Sequence, residues 1–435
     1  MLKTLGAQIK EFKRDSVLTP VFMIGEVIME TIIPLLMASI IDNGVQKGDM
    51  NHVYLIGVLM VGAAILSLTF GILGGKYGSR ASAGFARNLR KAMYENIQTF
   101  SFSNIDKFST SGLVTRLTTD VTNMQNAYQM ILRMCMRAPT TLICAMVMSF
   151  VISPRLASVY LIAVIGLACV LGLIVSQATK HFTQAFPKYD ALNESVQENV
   201  SAIRVVKAYV REEHEIGKFK KASENIYKIF CKAEGIVVWN GPVMNFTVYA
   251  CILTISWMGA HMIVQDALST GQLMNMLTYC MNILMSLMML SMIFVMVTMS
   301  LASAKRICEV LEEKPDLCNK PEAIREVKDG SIVFDHVSFK YKKDAEGQVL
   351  KNINLQIKSG ETIGIIGGTG SAKSSLVNLI SRLYDVTEGR LLVGGVDVRE
   401  YDMEALRNQV AVVLQNNVLF SGTILENLRW GDKEA

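Results

Sequence analysis

Six apolar stretches dominate the first 300 residues of the chain, and each is long enough to cross the roughly 30 Å of hydrocarbon in a bilayer. Charged residues make up only 19% of the chain, whereas soluble domains average about 25%. Because backbone polar groups inside a bilayer need internal partners, each stretch is predicted to be a membrane-spanning helix. The stretches lie near residues 17–41, 53–75, 134–153, 156–178, 237–260 and 272–300.

The segments between the spans alternate between long and short. Residues 76–133 and 179–236 are long and show helical spacing of apolar residues, whereas residues 42–52 and 261–271 are short. Lysine and arginine are frequent in the first long segment and rare in the first short one. By the positive-inside rule, both long segments and both termini are predicted to be cytoplasmic, so the chain carries two cytoplasmic helical arms. An interfacial amphipathic helix is predicted at residues 1–14.

A glycine-rich run at residues 367–375 follows a short apolar segment, 362–366, that is predicted to be a strand, and it precedes a predicted helix. In this setting small residues let backbone N–H groups surround a phosphate, a lysine reaches the terminal phosphates and a serine hydroxyl contacts Mg²⁺. The sequence therefore predicts a nucleotide-binding P-loop. Its candidate residues are Gly367, Gly368, Thr369, Gly370, Ser371, Ala372, Lys373, Ser374 and Ser375, with Ser374 as the Mg²⁺ contact.

Ala372 departs from the strict P-loop pattern, in which a glycine precedes the lysine. If the backbone φ of Ala372 is negative, the methyl group is harmless. If φ is positive, the methyl group costs on the order of 1 kcal/mol or displaces the phosphate. We expect the alanine to be tolerated, because the neighbouring amides remain available to a phosphate.

These features together resemble a half-transporter of the ATP-binding cassette (ABC) exporter family, of the kind grouped with multidrug and lipid exporters. The resemblance extends to residues 337–341, where Tyr341 matches the aromatic residue that stacks on adenine, and to Gln415, which matches a glutamine that contacts Mg²⁺. Residues 106–108 and 189–198 resemble segments that flank the coupling helices of the arms.

The resemblance implies a fold and a function. The fold is an all-α, six-helix exporter membrane domain at residues 1–317, followed by the N-terminal part of an α/β P-loop NTPase domain at residues 318–435. The function is ATP- and Mg²⁺-dependent export of a small amphiphilic or lipid-like substrate across the cytoplasmic membrane. The partner is a second half-transporter, either another copy or a different subunit. With a net charge of +5 and no basic block interleaved with aromatic residues, a nucleic-acid partner is not expected.

Three of the family's catalytic motifs do not occur in the sequence. These are the Leu-Ser-Gly-Gly-Gln signature loop, the Walker B strand that ends in Asp-Glu, and the switch histidine; no histidine follows His336. By the resemblance all three belong beyond the position of Ala435, so we expect a C-terminally incomplete domain that does not hydrolyse ATP alone. Three alternatives stay open: a non-hydrolysing regulatory subunit, an importer built on the exporter fold, and a fragment without function.

Two glutamates in the first span are candidates for the substrate cavity. Glu26 and Glu30 are four residues apart and share a helix face near the middle of the bilayer, where each charge costs roughly 2.5–3.5 kcal/mol. One interpretation is a wall that attracts cationic substrates. The other is an internal ion pair with Arg133 or Arg137.

Methionines form a stripe along the sixth span. Met281, Met285, Met288, Met292, Met296 and Met299 recur at helical spacing, so they share one face. Flexible thioethers adapt to varied apolar partners, which suits a cavity wall, but the same spacing is typical of ordinary helix packing. Met285 and Met292 join Glu26, Glu30 and Arg137 as candidate cavity residues.

Overall fold

The computed structural model describes residues 1–341, 347–413 and 418–431. The chain forms two compact units, one of Met1–Ala92 with Arg116–Cys308 and the other of Met93–Thr115 with Glu309–Ala435. Part of the first arm therefore belongs to the same unit as the predicted P-loop. The domain boundary between residues 317 and 318 stays a prediction.

Helices make up almost all of residues 1–312, and six helical segments among the described residues are long and apolar enough to cross a membrane. This confirms the predicted six-span architecture. The helices are α1 (Leu2–Gly6), α2 (Lys13–Ser39), α3 (Met50–Gln98), α4 (Phe102–Phe108), α5 (Thr110–Thr115), α6 (Val121–Ile152), α7 (Pro154–Ser201), α8 (Ile203–Ala208), α9 (Glu212–Val237), α10 (Asn240–Val264) and α11 (Thr270–Glu312).

A sharp turn between α6 and α7 follows from two adjacent residues. Ser153 has extended backbone angles, and its side chain accepts a hydrogen bond from the N–H of Leu156 at 3.5 Å. Pro154 occupies the first position of α7, where its missing N–H costs nothing and its fixed φ suits a helix. The chain therefore passes from one long helix to the next across a single residue.

Two buried tyrosines join the spans. The hydroxyl of Tyr160 in α7 donates to the carbonyl of Met276 at 2.6 Å, and the hydroxyl of Tyr279 in α11 donates to the carbonyl of Thr31 at 2.8 Å. Both side chains are at most 1% exposed. Because a buried hydroxyl without a partner costs about 1–3 kcal/mol, these two bonds constrain how α2, α7 and α11 pack.

The predicted amphipathic helix at residues 1–14 is interrupted. A 3₁₀ segment follows α1 over Ala7–Phe12, and Lys10 within it has φ 42°. The kink accompanies contacts with α3: Arg87 lies 5.2 Å over the Phe12 ring, and the Asn88 side chain donates to the carbonyl of Gln8 at 3.0 Å. Tertiary contacts have overridden the local helical pattern.

The arms contain short helices where the sequence suggests coupling segments. In the first arm, residues 106–108 lie in α4, whose start is capped by Ser101 together with Asn104. In the second arm, residues 189–198 lie inside α7, and α8 follows them. The side chain of Asn104 donates to Glu313 and Lys314, which ties α4 to the segment after α11 within the second unit.

The second unit contains a four-stranded sheet with the order β2-β1-β3-β4, in which every pairing is antiparallel. Phe334, Val337 and Phe339 of the central strand are nearly fully buried and pack in one core with Leu376 and Leu379. The strands are β1 (Ile332–Phe339), β2 (Leu350–Ile357), β3 (Glu388–Val393) and β4 (Val396–Asp397), and the helices are α12 (Lys373–Ile380), α13 (Met403–Gln409) and α14 (Ile424–Leu428).

The predicted strand at residues 362–366 is not part of this sheet. Among the described residues it pairs with no other strand, and its isoleucines are exposed, Ile366 to 99%. The prediction was wrong because an apolar segment forms a strand only when another strand provides its hydrogen bonds.

Candidate nucleotide-binding site

The P-loop surrounds the ammonium group of Lys373, the first residue of α12. Its Nζ donates to the carbonyls of Gly367 at 2.7 Å and Gly368 at 2.8 Å, and to the hydroxyl of Ser371 at 3.2 Å. The first N–H groups of any helix lack intrahelical acceptors, and here they belong to residues beside Lys373. An ammonium group and free amides at a helix N-terminus form a donor set that fits a triphosphate.

The backbone of Ala372 is left-handed, with φ 61° and ψ 24°. Of the two alternatives for this residue, negative or positive φ, the structure therefore has positive φ, in which the methyl group is strained. A non-glycine residue in this conformation costs roughly 1–2 kcal/mol. Gly370, at φ 85°, has the same sign of φ without a side chain to strain.

The two serines that follow Lys373 have different environments. Ser375 is 6% exposed, and its hydroxyl lies 2.8 Å from the hydroxyl of Tyr341. Ser374 is exposed. Ser375 therefore has an internal partner, whereas the Ser374 hydroxyl can reach an ion beside the loop, so the assignment of Ser374 to Mg²⁺ stays a prediction that the geometry allows.

Tyr341 belongs to an aromatic cluster with Phe339 and Tyr384. Its ring centroid lies 4.8 Å from that of Phe339 and 5.1 Å from that of Tyr384, and both pairs are edge-to-face. The Tyr341 side chain is half-exposed, so part of its ring remains accessible to a purine. Gln415 lies outside the described residues, so its contact with Mg²⁺ stays a prediction.

Tyr384 is a site residue that the sequence did not suggest. Its hydroxyl donates to the carboxylate of Asp106 in α4 at 2.9 Å, and the ring of Phe102 lies 6.0 Å away. Burial, with the Asp106 carboxylate adding to it, raises the pKa of Tyr384 above its usual value. The phenol therefore remains a donor at neutral pH. Nothing in the local sequence distinguishes this tyrosine from an ordinary core residue, because its partner is 278 positions away.

Comparison with known families decides the identity. Residues 17–288 match the family described as the ABC transporter transmembrane region, and residues 350–435 match the family described as ABC transporter. The first match alone covers more than half of the chain. The chain belongs to the ABC transporter family. This confirms the resemblance seen in the sequence, and membership of the family implies that the chain binds ATP. Binding of ATP at residues 367–375 stays a prediction.

Individual relatives of the transporter support the same assignment. It is 35% identical to an uncharacterized ABC transporter ATP-binding protein of Bacillus subtilis, over 95% of its own length and 72% of that protein's. It is 33% identical to another such protein of Mycobacterium tuberculosis, over 99% and 74% of the two lengths. An ATP-dependent lipid A-core flippase of Desulfotalea psychrophila is 27% identical over 95% of the transporter and 68% of the flippase.

In the membrane part of the transporter, Arg137 pairs with both glutamates of the first span. Its guanidinium donates to Glu26 at 2.8 Å and to Glu30 at 2.7 and 3.0 Å. The structure therefore contains the internal ion pair, with Arg137 rather than Arg133 as the partner. One guanidinium faces two carboxylates. If both glutamates are ionised, the cluster keeps one unbalanced negative charge. The second carboxylate oxygen of Glu26 is buried without a hydrogen-bond partner among the described residues.

The described methionines of the stripe do not belong to the core of the subunit, and the side chain of Met299 lies outside the described part. Met285 is 61% exposed and Met292 is 65% exposed, whereas Met276 and Ile283 on the opposite side of α11 are fully buried. Packing within the subunit therefore does not explain the stripe. A role in lining the substrate cavity stays a prediction for Met285 and Met292, as it does for Glu26, Glu30 and Arg137.

Proposed function

We propose that the transporter exports a small amphiphilic or lipid-like substrate across the cytoplasmic membrane as one subunit of an ATP-driven dimer, with both termini in the cytoplasm. The observation that carries this proposal is a chain of contacts in the second unit. Asp106 of α4 bonds to Tyr384, the Tyr384 ring packs on Tyr341, and Tyr341 bonds to Ser375 beside Lys373. A shift at the P-loop helix can therefore reach the first arm.

The P-loop residues have distinct roles in this proposal. Lys373 exchanges the loop carbonyls for the β- and γ-phosphate oxygens, because hydrogen bonds between charged partners are about twice as strong as neutral ones. The Ser374 hydroxyl and Gln415 contact Mg²⁺, and Tyr341 supports adenine. ATP, when bound, supplies the free energy that drives the switch. Tyr384 and Asp106 then pass a displacement of α12 to α4.

The exposed face of α11 supports the proposed substrate class. Among the described side chains, five methionines on this face are between 39% and 65% exposed. Thioethers on flexible stems adapt to apolar groups of varied shape, so this face suits an amphiphile better than a small polar solute. The flippase relatives, whose names specify a lipid substrate, support the same class.

Transport is tested by ATP-dependent movement of a fluorescent amphiphile in liposomes. The assay uses the chain extended by a family-type C-terminal segment, which supplies a signature loop and a Walker B strand. The extended version should release phosphate and move the amphiphile, and Lys373→Ala should abolish both. Transport that survives Lys373→Ala would contradict the proposal.

Orientation is tested by cysteine labelling after the native cysteines are replaced by serine. Single cysteines at Lys47 and Asp266 should react from the outside, and those at Lys107 and Lys218 only from the cytoplasm. The reverse pattern would overturn the topology. Labelling does not depend on nucleotide, so it tests orientation separately from coupling.

A further inference from the structure

Two arginines on one face of α6 have very different surroundings. Arg133 and Arg137 are one helical turn apart, so their side chains lie on the same face. Arg137 pairs with Glu26 and Glu30. Arg133, which is half-buried, has no hydrogen bond or ion pair among the described residues. Arg137 therefore has two carboxyl partners, and Arg133 has none among the described residues.

The stem of Arg133 packs against the protein. It lies on α3 at Gly78, where an added Cβ would be 3.3 Å from Cδ of Arg133 and 3.4 Å from its Cγ. The absence of a side chain at Gly78 thus lets the arginine stem approach α3. A guanidinium that only anchored the helix to the bilayer surface would extend its stem along lipid.

Arg133 lines a pocket of about 360 Å³ that has one cationic, two amide and three thioether side chains. This volume is within the range of ligand pockets, about 300–1,000 Å³. Among the residues that the structure describes, no acidic side chain lines the pocket. A planar guanidinium binds phosphate or carboxylate with two parallel hydrogen bonds, and thioethers adapt to an alkyl chain. The other lining residues are Asn126, Gln129, Met130, Met134 and Met296.

We propose that this pocket binds an anionic amphiphile, with a phosphate or carboxylate head group on Arg133 and an alkyl chain against Met130, Met134 and Met296. This inference rests on the proposed export of an amphiphile and specifies its charge. It also separates the two polar features of the spans: the glutamates are held by Arg137, and Arg133 selects the substrate.

The test measures equilibrium binding of dodecyl phosphate to the full chain in nanodiscs of zwitterionic lipid, without ATP. Dodecyltrimethylammonium serves as the cationic analogue. We expect wild type to bind dodecyl phosphate and Arg133→Gln to bind it at least ten-fold more weakly, as the loss of a charge-assisted hydrogen bond predicts. Arg133→Lys should retain part of the affinity. The control is Arg155→Gln, at an exposed arginine outside the pocket, and it should bind like wild type.

Two further binding measurements make the test decisive. Gln129→Glu adds a carboxylate to the pocket, so it should lose dodecyl phosphate and gain dodecyltrimethylammonium, an outcome that a misfolded protein would not give. Inorganic phosphate at the same concentration should not compete, because it lacks the alkyl chain. Equal competition would show a site for free anions and overturn the inference, as would unchanged binding by Arg133→Gln.

Failure of this inference can be distinguished from failure of the proposed function. ATP-driven movement of a neutral or cationic amphiphile, without binding of dodecyl phosphate, would refute the anionic pocket and leave export standing. Arg133-dependent binding of dodecyl phosphate without ATP-driven movement of any amphiphile would refute export and leave the anionic pocket standing.

Discussion

Replacing Ala372 by glycine tests whether the P-loop is strained. Ala372 has φ 61°, which costs an alanine roughly 1–2 kcal/mol. Glycine removes this strain but loses about 0.5–1 kcal/mol through its greater freedom in the unfolded chain. The methyl group packs at the edge of the core, and its loss costs less than the roughly 0.8 kcal/mol of a fully buried group. These effects nearly cancel, so we expect a change in stability within about 0.5 kcal/mol of zero.

The matched control is Ala405→Gly in α13, where the alanine has ordinary helical geometry. Because Ala405 has no backbone strain that glycine could relieve, Ala405→Gly should lower the stability of α13 by about 1 kcal/mol. The two identical chemical changes should therefore differ in their effect on stability by roughly 1 kcal/mol, and the sign of φ is the main source of this difference.

Amide hydrogen exchange measures both sites in one experiment, because it reports the free energy of local opening. Ala372→Gly should change the exchange rates of the α12 amides by about two-fold at most, and Ala405→Gly should raise those of α13 about five-fold. ATP affinity should be unchanged or higher in Ala372→Gly. A five-fold increase in α12 exchange would refute the positive φ and the strain inferred from it.

Four other substitutions test contacts seen in the structure through their effects on stability. Gly389→Ala should lower the stability of the second unit in urea unfolding by about 2 kcal/mol or more, because φ is 80° and a Cβ would lie 2.3 Å from a backbone carbonyl of β1. Unchanged stability would contradict this geometry. Tyr384→Phe should cost about 0.5–1 kcal/mol at pH 7, since water can still hydrate the exposed Asp106. The raised pKa of Tyr384 favours the neutral phenol in the folded state, so stability should be present below pH 10 and fall above it, and the fall should be smaller in Tyr384→Phe. Thermal unfolding in detergent tests the ion pair. Arg137→Met should destabilise the protein by about 3–5 kcal/mol because two carboxylates lose their partner, whereas Glu30→Gln should cost far less. Equal losses of stability would argue against one guanidinium that binds both glutamates.

The features predicted correctly from the sequence are those encoded by consecutive residues. The six spans could be predicted because bilayer thickness fixes the length of an apolar helix. The P-loop could be recognised without the usual glycine at Ala372, because small residues, a lysine and a serine at fixed spacing suffice to specify phosphate chemistry. The turn between the predicted spans 134–153 and 156–178 is equally local, because only two residues separate the spans.

The errors and omissions share a cause, which is dependence on distant residues. Residues 362–366 have the composition of a strand, but strand formation requires a partner that local sequence does not supply. The helical pattern of residues 1–14 is interrupted where Phe12 meets α3. The sequence offered Arg133 and Arg137 equally as partners of the glutamates, and only helix packing distinguishes them.

The sequence by itself determined the class of molecule, six spans followed by a nucleotide-binding loop, because span length and loop chemistry are local properties. Tertiary structure decided the sign of φ at Ala372, the pairing of Arg137 with Glu26 across 111 positions, and the contact of Tyr384 with Asp106 across 278. These contacts depend on where whole helices pack, and packing is set by complementary surfaces rather than by the neighbours of any one residue.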